Sequence, residues 1–280
     1  MTAGPAPLPS RIAPATPGIV GLTAAGPNAT LVRRIDLTPD VARFSVRPDL
    51  GIPAFAPGQY FALGVTLDGR VLQRPYSAAS PPGSGRYLEF LIRRVPGGML
   101  TPVLWELGAG ARLRLGRPKG LFRLDSGERS SHLFVATGTG LAPALSMLAS
   151  LRASAGPGAS TPWRAVVVHG TSWAPELAYR DRLERWARTD ARVTYVPVVS
   201  RPGHPANAGW NGATGRVDGL IGAVCERFGL DAAGTVAYVC GNPDAIAAVT
   251  RALLSRGFPA GAIVTEQYWT TSGSPRAPSA

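Results

Sequence analysis

Residues 132–143, His-Leu-Phe-Val-Ala-Thr-Gly-Thr-Gly-Leu-Ala-Pro, decide how the second half of the chain folds. The continuous apolar run before the glycines predicts a strand buried on both faces, and Pro143 opens a predicted helix that ends near Leu151. Backbone amides and the helix dipole at the turn around Gly138 and Gly140 can bind a pyrophosphate. Because the full Gly-x-Gly-x-x-Gly pattern is missing, a purely structural turn is the alternative interpretation.

The same strand-then-helix pattern continues toward the C-terminus. Apolar runs and helical periodicity predict three more strands and two more helices, at Arg164–Val168, Val193–Val199, Thr235–Cys240, Pro175–Arg188 and Pro243–Ser255. Alternating strands and helices predict a doubly wound α/β domain whose parallel sheet is covered on both sides.

Two local features refine this α/β domain. Tyr179, Leu183 and Trp186 recur at helical spacing, which predicts one buried face on the helix that contains them. Ligands of such domains bind at the carboxyl ends of the strands, so the turns after the strands should gather there. These turns begin at Thr137, His169, Ser200 and Cys240, and residues 201–215 form a long loop nearby.

The first half of the chain has a different hydrophobic pattern, with short apolar or alternating runs broken by Gly and Pro. Examples are Gln59–Val65, Tyr87–Val95 and Ala111–Leu115, and only Leu100–Leu107 suggests a short helix. This punctuation predicts an antiparallel β-barrel or sandwich. The predicted organisation is a mobile tail at 1–18, the barrel domain at 19–125, the α/β domain at 131–269 and a C-terminal extension at 270–280.

Composition limits the function. The 280 residues include 29 Lys and Arg against 17 Asp and Glu, a net charge of +12, which predicts attraction to an acidic partner. The arginines are scattered, which argues against nucleic acid. Two cysteines cannot supply a four-cysteine iron-sulfur site, and the three histidines lack metal-ligand spacing, so no metal is expected. No apolar run is long enough to cross a membrane and no secretory signal is visible, so we expect a cytoplasmic protein without membrane insertion. We also expect a monomer.

Arg74-Pro75-Tyr76-Ser77 places a cation, a flat aromatic ring and a hydroxyl within four residues. A dinucleotide with a flat ring system suits this array, because a guanidinium grips phosphate and a phenol stacks on a ring. Gly97-Gly98-Met99-Leu100-Thr101 offers amides and a hydroxyl to a second anion. Taken singly, the first motif also fits a solvated strand edge and the second a simple turn.

These motifs occur in a characteristic order. Arg-Pro-Tyr-Ser is followed by Gly-Gly-Met-Leu-Thr, Gly116-Arg-Pro-Lys-Gly120, Gly-Thr-Gly-Leu-Ala-Pro, Val-Cys-Gly-Asn-Pro and a final Glu-Gln-Tyr-Trp. From about Ile19 to Trp269 the chain resembles the ferredoxin-NADP+ reductase family, and within it the bacterial flavodoxin/ferredoxin-NADP+ reductases. The resemblance implies an FAD-binding barrel and an NADP(H)-binding α/β domain.

The resemblance also implies roles for individual residues. Those implied for FAD are Arg74, Pro75, Tyr76, Ser77, Arg93, Gly98, Met99, Leu100, Thr101 and the closing aromatics Tyr268 and Trp269. Those implied for NADP are Thr137, Gly138, Thr139, Gly140, Pro143, Ser200, Arg201, Arg216, Cys240 and Gly241. Ser77, Cys240 and Glu266 are implied at the reacting centre.

Two departures from the family pattern are visible. Ser172 stands where relatives often carry an Arg, which removes one contact to the 2′-phosphate, although Arg201 and Arg216 still favour NADP over NAD. Residues 270–280 follow the aromatic pair at which most bacterial relatives end.

The implied activity is hydride exchange between NADPH and FAD, followed by single-electron exchange with an acidic ferredoxin or flavodoxin. A flavin reductase or an oxygenase-reductase component is the alternative enzyme, and an FAD-binding redox-sensing subunit is the non-enzymatic alternative.

Overall fold

A computed structural model describes residues 26–67, 69–125, 127, 129–154 and 162–268. The predicted tail at 1–18, the extension at 270–280 and Trp269 lie outside this range. Within it, none of the helices is long and apolar enough to span a bilayer.

The first half forms a six-stranded antiparallel sheet, as the short alternating runs predict. Its strand order is β4-β3-β6-β1-β2-β5. The bounds are β1 Ala29–Thr38, β2 Val41–Pro48, β3 Tyr60–Leu67, β4 Arg70–Ser77, β5 Leu88–Arg93 and β6 Arg112–Lys119, with helix α1 at Thr101–Glu106. A bridge between Ala78 and Phe90 joins the two ends of this order, so the sheet curls into a barrel. Phe61 packs edge-on against Phe55 and Phe90 within it.

The second half forms a six-stranded parallel sheet flanked by helices, which confirms the predicted doubly wound fold. Its strand order is β10-β9-β8-β7-β11-β12. The strands are β7 Ser131–Thr137, β8 Arg164–Thr171, β9 Val193–Val199, β10 Ala213–Thr214, β11 Thr235–Gly241 and β12 Ile263–Gln267. The helices are α2 Leu141–Ser154, α3 Arg180–Thr189, α4 Val217–Arg227 and α5 Pro243–Ser255. Short 3-10 turns cover Gly138–Gly140, Ala174–Glu176, Pro205–Asn207 and Ala260–Ala262.

Side-chain alternation along β7 explains why both faces of this sheet are covered. Leu133 packs into a cluster with Ile221 of α4 and Val249 of α5, whereas Phe134 packs into a cluster with Leu145 of α2. Because successive strand residues point to opposite faces, a continuous apolar run requires apolar partners on both sides.

The cluster around α2 also includes residues of the barrel. Val41, Leu91 and Phe122 pack into the same buried group as Leu145, and the buried Ser146 hydroxyl donates to the Ser80 carbonyl oxygen at 2.9 Å. The two domains therefore share apolar packing, and this packing holds the end of β4 close to the end of β7.

Two predictions of local structure were wrong. The predicted helix at Pro175–Arg188 is broken: a 3-10 turn precedes it, α3 starts at Arg180, and Tyr179 has a left-handed backbone with φ +57°. His169 does not begin a turn, because β8 continues past it to Thr171. In both places packing overrides the local pattern: Tyr179 is buried in the shared cluster, and His169 is fully buried in the sheet.

Candidate active site between the barrel and the parallel sheet

Four residues from three strand ends and the following segment meet where the two domains touch, and we call them the interdomain cluster: Ser77, Cys240, Glu266 and Tyr268. Ser77 closes β4, and its hydroxyl donates to Glu266 Oε2 at 2.9 Å, although 189 positions separate the two residues. The Tyr268 hydroxyl lies 3.4 Å from Ser77 Oγ and 3.3 Å from the Thr139 carbonyl oxygen. Cys240 and Glu266 are register partners on β11 and β12.

Burial changes the acid–base properties of the interdomain cluster. Desolvation raises the pKa of Glu266 to about 7, although the Ser77 hydrogen bond opposes the shift. Burial, followed by the charge of Glu266, raises the pKa of Cys240, so this residue is a neutral thiol. Burial likewise raises the pKa of Tyr268. Glu266 is therefore the one member that can take up or release a proton near neutral pH.

A close glycine packing joins the turns after β7 and β11. A Cβ atom on Gly140 would lie 2.6 Å from the Cys240 carbonyl carbon, and a Cβ atom on Gly241, whose φ is +134°, would lie 2.7 Å from the Thr137 carbonyl oxygen. Neither position accommodates a side chain. The Asn242 backbone N–H donates to Thr137 Oγ1 at 2.8 Å, which ties the two turns together.

His169 of β8 contacts the turn after β7 from inside the sheet. Its Nε2 lies 3.1 Å from the Gly138 carbonyl oxygen, and burial lowers its pKa to about 4. The ring is therefore neutral, and with Nε2 protonated it donates to that carbonyl. Gly138 itself has φ +52°, a left-handed conformation that suits glycine.

A pocket of about 400 Å³ opens above these turns. It runs along the carboxyl ends of the parallel strands, where ligands of doubly wound sheets bind. Besides the glycine turns and Tyr268, it is lined by Arg93, Thr171, Ser172, Glu176, Ser200, Gly215, Arg216, Val217, Asp218, Pro243, Asp244 and Ala245.

Strand order gives the pocket two distinct ends. Tyr268 follows β12 and reaches the interdomain cluster, whereas the residues that follow β8, β9 and β10 lie on the other side of β7. We call Ser172, Ser200, Arg216 and Asp218 the far end. From β7 to β10 are three strand spacings, about 14 Å, so the pocket can hold an extended ligand with two different ends.

Comparison with known proteins identifies the family. One model, described as an oxidoreductase FAD-binding domain, matches residues 28–124, and another, an oxidoreductase NAD-binding domain, matches residues 134–251. The chain is 36% identical over 234 residues to ferredoxin–NADP reductase B of Sorangium cellulosum, an alignment that covers 82% of this chain and 91% of that protein. This chain belongs to the ferredoxin–NADP reductase family. It is an oxidoreductase whose cofactors are FAD and NADP(H).

Reductase components of oxygenase systems are similar as well. The reductase component of the naphthalene 1,2-dioxygenase system of Pseudomonas putida is 34% identical, over 77% of this chain and 62% of its own length. The structure of the Amycolatopsis cytochrome P450 reductase GcoB superposes with a TM-score of 0.73 and 26% identity, over 86% of this chain and 69% of that one. Similarity alone is therefore compatible with two kinds of electron acceptor for this ferredoxin–NADP reductase family member.

Three residues expected at FAD, Arg74, Tyr76 and Ser77, lie together on β4 of this reductase's barrel. Arg74 is exposed on β4, with Nη1 donating to the Gln73 carbonyl oxygen, and Tyr76 and Ser77 follow it. An exposed guanidinium, a partly buried phenol and a hydroxyl on one strand end form a donor set that fits a flavin dinucleotide.

The Gly98–Thr101 segment is divided between surface and core. Met99 is 70% exposed, whereas Leu100 packs in the barrel core and the Thr101 hydroxyl accepts the Val95 N–H at 2.8 Å. The Gly98 N–H donates to the Val95 carbonyl oxygen at 2.9 Å, so this amide also stabilises the loop, and the Met99 side chain remains exposed at the surface.

Arg93 ends β5 and, like Tyr268 of the same FAD set, lines the pocket of the reductase's second domain. Its Nη1 pairs with Glu176 Oε1 at 2.8 Å. Glu176 is buried, so this ion pair links barrel and α/β domain beside the glycine turns.

The residues expected at NADP are mostly brought together. Thr137, Gly138, Thr139, Gly241, Ser200 and Arg216 all line the pocket, while Gly140, Pro143 and Cys240 are buried behind it. Within the described part of the chain, the lining includes Ser200 but not Arg201, whose guanidinium lies 5.6 Å from the centre of the Trp173 ring. Ser172, noted for its departure from the family pattern, is at the far end.

Sequence reasoning assigned no ligand role to several pocket residues, among them Asp218, Glu176 and Asn242. Asp218 pairs with Arg216 and Glu176 pairs with Arg93, while Asn242 accepts the Asp244 N–H at 2.9 Å as the N-cap of α5. Asn242-Pro243 carries an ordinary helix-start signal, and the predicted helix does begin at Pro243. The two acids had no such signal, because their importance comes from their partners.

Proposed function

We propose that this reductase exchanges electrons between NADPH and a ferredoxin or flavodoxin. The interdomain cluster carries this proposal, because the hydrogen bond between Ser77 and Glu266 joins the end of the FAD-binding strand to the NADP-binding sheet. Similarity to a ferredoxin–NADP reductase over 91% of that protein's length supports the same acceptor class.

When bound, NADP(H) and FAD would supply hydride transfer, and FAD would also supply single-electron exchange. The protein supplies orientation and protons. Ser77 can donate or accept one hydrogen bond at the barrel edge, and Glu266 can hold a proton there near neutral pH. Tyr268 lines the pocket and its hydroxyl lies 3.4 Å from Ser77 Oγ, so it would limit the access of water to the cluster from the pocket side.

The charge of the chain suits an acidic electron carrier. A net charge of +12 favours encounter with an acidic protein, and this steering weakens as salt screens it. We expect the rate of ferredoxin or flavodoxin reduction to fall as ionic strength rises, while the rate of flavin reduction by NADPH changes little.

A stepwise experiment tests the proposal. The purified protein should be yellow, and NADPH added without oxygen should bleach it in stopped-flow mixing; ferredoxin or flavodoxin should then restore the colour. A protein that holds flavin but is not bleached by NADPH or NADH would contradict enzymatic turnover and favour a redox-sensing subunit.

An oxygenase-reductase role is the second candidate, favoured by the naphthalene dioxygenase and P450 reductases described above. The chain spans 62% and 69% of those two proteins, so their whole activities are not transferred to it. Free FMN reduced as efficiently as ferredoxin and flavodoxin would favour a flavin reductase. A strong preference for the ferredoxin of an oxygenase system over other ferredoxins and flavodoxins would favour the oxygenase role.

A further inference from the structure

The far end of the pocket contains an acid and a base that are bonded to each other. Arg216 is the N-cap of α4 and Asp218 lies in its first turn, with Arg216 Nε and Asp218 Oδ1 3.1 Å apart. The Arg216 side chain is 63% exposed and the Asp218 side chain 26% exposed. Both line the pocket, so a ligand can reach either partner.

These two side chains suit different dinucleotides. An acidic side chain accepts a hydrogen bond from the ribose 2′-hydroxyl of an NAD-type ligand, whereas an arginine binds the 2′-phosphate of an NADP-type ligand. The pair engages Arg216 Nε, so a 2′-phosphate that binds the remaining guanidinium N–H groups sits close to the Asp218 carboxylate, which repels it.

The other charges of the pocket do not relieve this conflict. In the lining that the structure describes, the cations are Arg93 and Arg216, and each is paired with a carboxylate. Asp244 adds a further negative charge, and Ser172 and Ser200 contribute only neutral hydroxyls. The lining therefore has no excess positive charge with which to prefer a phosphate dianion.

We propose that Asp218 is a specificity-determining residue that allows the 2′-hydroxyl of NADH to compete with the 2′-phosphate of NADPH. The inference rests on the proposed function in that the pocket must hold the adenosine half of a nicotinamide dinucleotide. It predicts a reductase that accepts both dinucleotides, with the preference set by the Arg216–Asp218 pair.

The test measures binding of adenosine fragments to the flavin-loaded protein, so it is independent of turnover. Titration calorimetry with 2′,5′-ADP and 5′-AMP gives the affinity ratio that the 2′-substituent alone determines. We expect this ratio to be below about tenfold in the unchanged chain. Asp218→Asn should raise it about fivefold to tenfold by releasing Arg216, and Arg216→Gln should lower it by a similar factor.

Asp244→Asn is the matched control. It removes the same charge from the same pocket, in the first turn of α5 instead of α4. We expect it to change the affinity for both fragments but to leave their ratio within about twofold of the unchanged chain. Asp218 also stabilises the start of α4 through the helix dipole, but loss of that effect would not alter the ratio.

The outcomes are distinct. A ratio above about a hundredfold in the unchanged chain, or equal changes of the ratio in Asp218→Asn and Asp244→Asn, would overturn the role of Asp218 and leave the proposed function intact. Binding of neither fragment to the folded, flavin-loaded protein would mean that the pocket is not the nucleotide site, and would overturn both proposals.

Discussion

The interdomain cluster and the far end both contain a carboxylate hydrogen-bonded to a partner, yet the two carboxylates differ in their surroundings. Glu266 lies between two domains, bonds a neutral hydroxyl, and has a pKa raised to about 7 by burial. Asp218 lies on an open helix turn and pairs with a guanidinium that is 63% exposed. The first can change its charge at neutral pH, whereas the second is an ordinary ion pair in contact with water.

This difference in exposure suits the interdomain cluster to holding a proton and the far end to discriminating between ligands. An enclosed cluster amplifies each electrostatic interaction and can hold a proton where it is needed. An exposed ion pair contributes little to stability, so a ligand can break the Arg216–Asp218 contact at a small cost in free energy and bind to either side chain. Under the proposed function, one pocket would therefore accept two dinucleotides for the same reaction.

The largest effect should come from adding a side chain where the turns after β7 and β11 pack closely together. Gly241→Ala places a Cβ atom against the Thr137 carbonyl oxygen at φ +134°, where other residues are strained by about 1–3 kcal/mol. The turns after β7 and β11 must then separate. We expect NADPH to bind at least about a hundredfold more weakly, as measured by titration of the flavin spectrum.

Gly261→Ala is the control for that substitution, because a Cβ atom there would have nothing within 4 Å. It should leave NADPH affinity unchanged. Wild-type affinity in Gly241→Ala would show that the close turn packing is not needed to bind the dinucleotide.

A second prediction concerns pH. The pKa of Glu266 rises from 4.5 to about 7 on folding, so the folded chain binds this proton more tightly than the unfolded chain does. The resulting stabilisation is complete below pH 4.5 and is lost as pH rises through 7, a change of about 3 kcal/mol. Glu266→Gln should remove this loss, which denaturant unfolding of both proteins at pH 5 and pH 8 will measure.

Two further variants sharpen the pH comparison. Ser77→Ala removes the hydrogen bond that lowers the pKa of Glu266, so the midpoint of the loss should move to higher pH. Glu226→Gln removes a carboxylate that is 72% exposed and paired with Arg256, and should alter stability by less than about 1 kcal/mol at either pH. Equal pH profiles for wild type and Glu266→Gln would contradict the assignment to the buried carboxylate.

A smaller loss of stability is predicted for the ion pair that joins the two domains. Arg93 is 39% exposed and Glu176 only 8%, so Arg93→Gln leaves a buried carboxylate without its cation. We expect a loss of about 2 kcal/mol in the free energy of unfolding, measured with urea. Glu176→Gln should cost less, because it leaves only the more exposed cation. The reverse order would mean that the carboxylate has another stabilising partner.

Much of the fold was predictable because its signals are local. Asn242-Pro243 marks the start of α5, and the apolar runs of β7 and β9 give those strands to within one residue. The break before α3 has no local signal. Tyr179 takes its left-handed conformation in a buried position with its ring between the guanidinium groups of Arg43 and Arg182, at 5.0 and 4.8 Å.

The site was less predictable for a related reason. Motifs indicated which turns would gather, and Ser200 and Arg216 do meet the glycine turns in one pocket. Motif spacing does not determine side-chain direction, so it did not show that Arg201 would lie against Trp173. Nor could it reveal pairs such as Ser77 with Glu266, whose members are distant in the chain and meet only after the domains pack.

Strand β4 bears on how readily another molecule could pair with this sheet. It pairs with β3, and the bridge that closes the barrel involves Ala78 just after it, so its other side is an edge whose amides a strand of another molecule could bond. Pro75 pairs with Ala62 of β3 and has no amide hydrogen. In a paired strand the proline nitrogen points away from the partner strand, so the open side of β4 lacks one hydrogen-bond donor there. The edge of the barrel that is proposed to bind flavin is thereby a poor template for strand pairing between molecules.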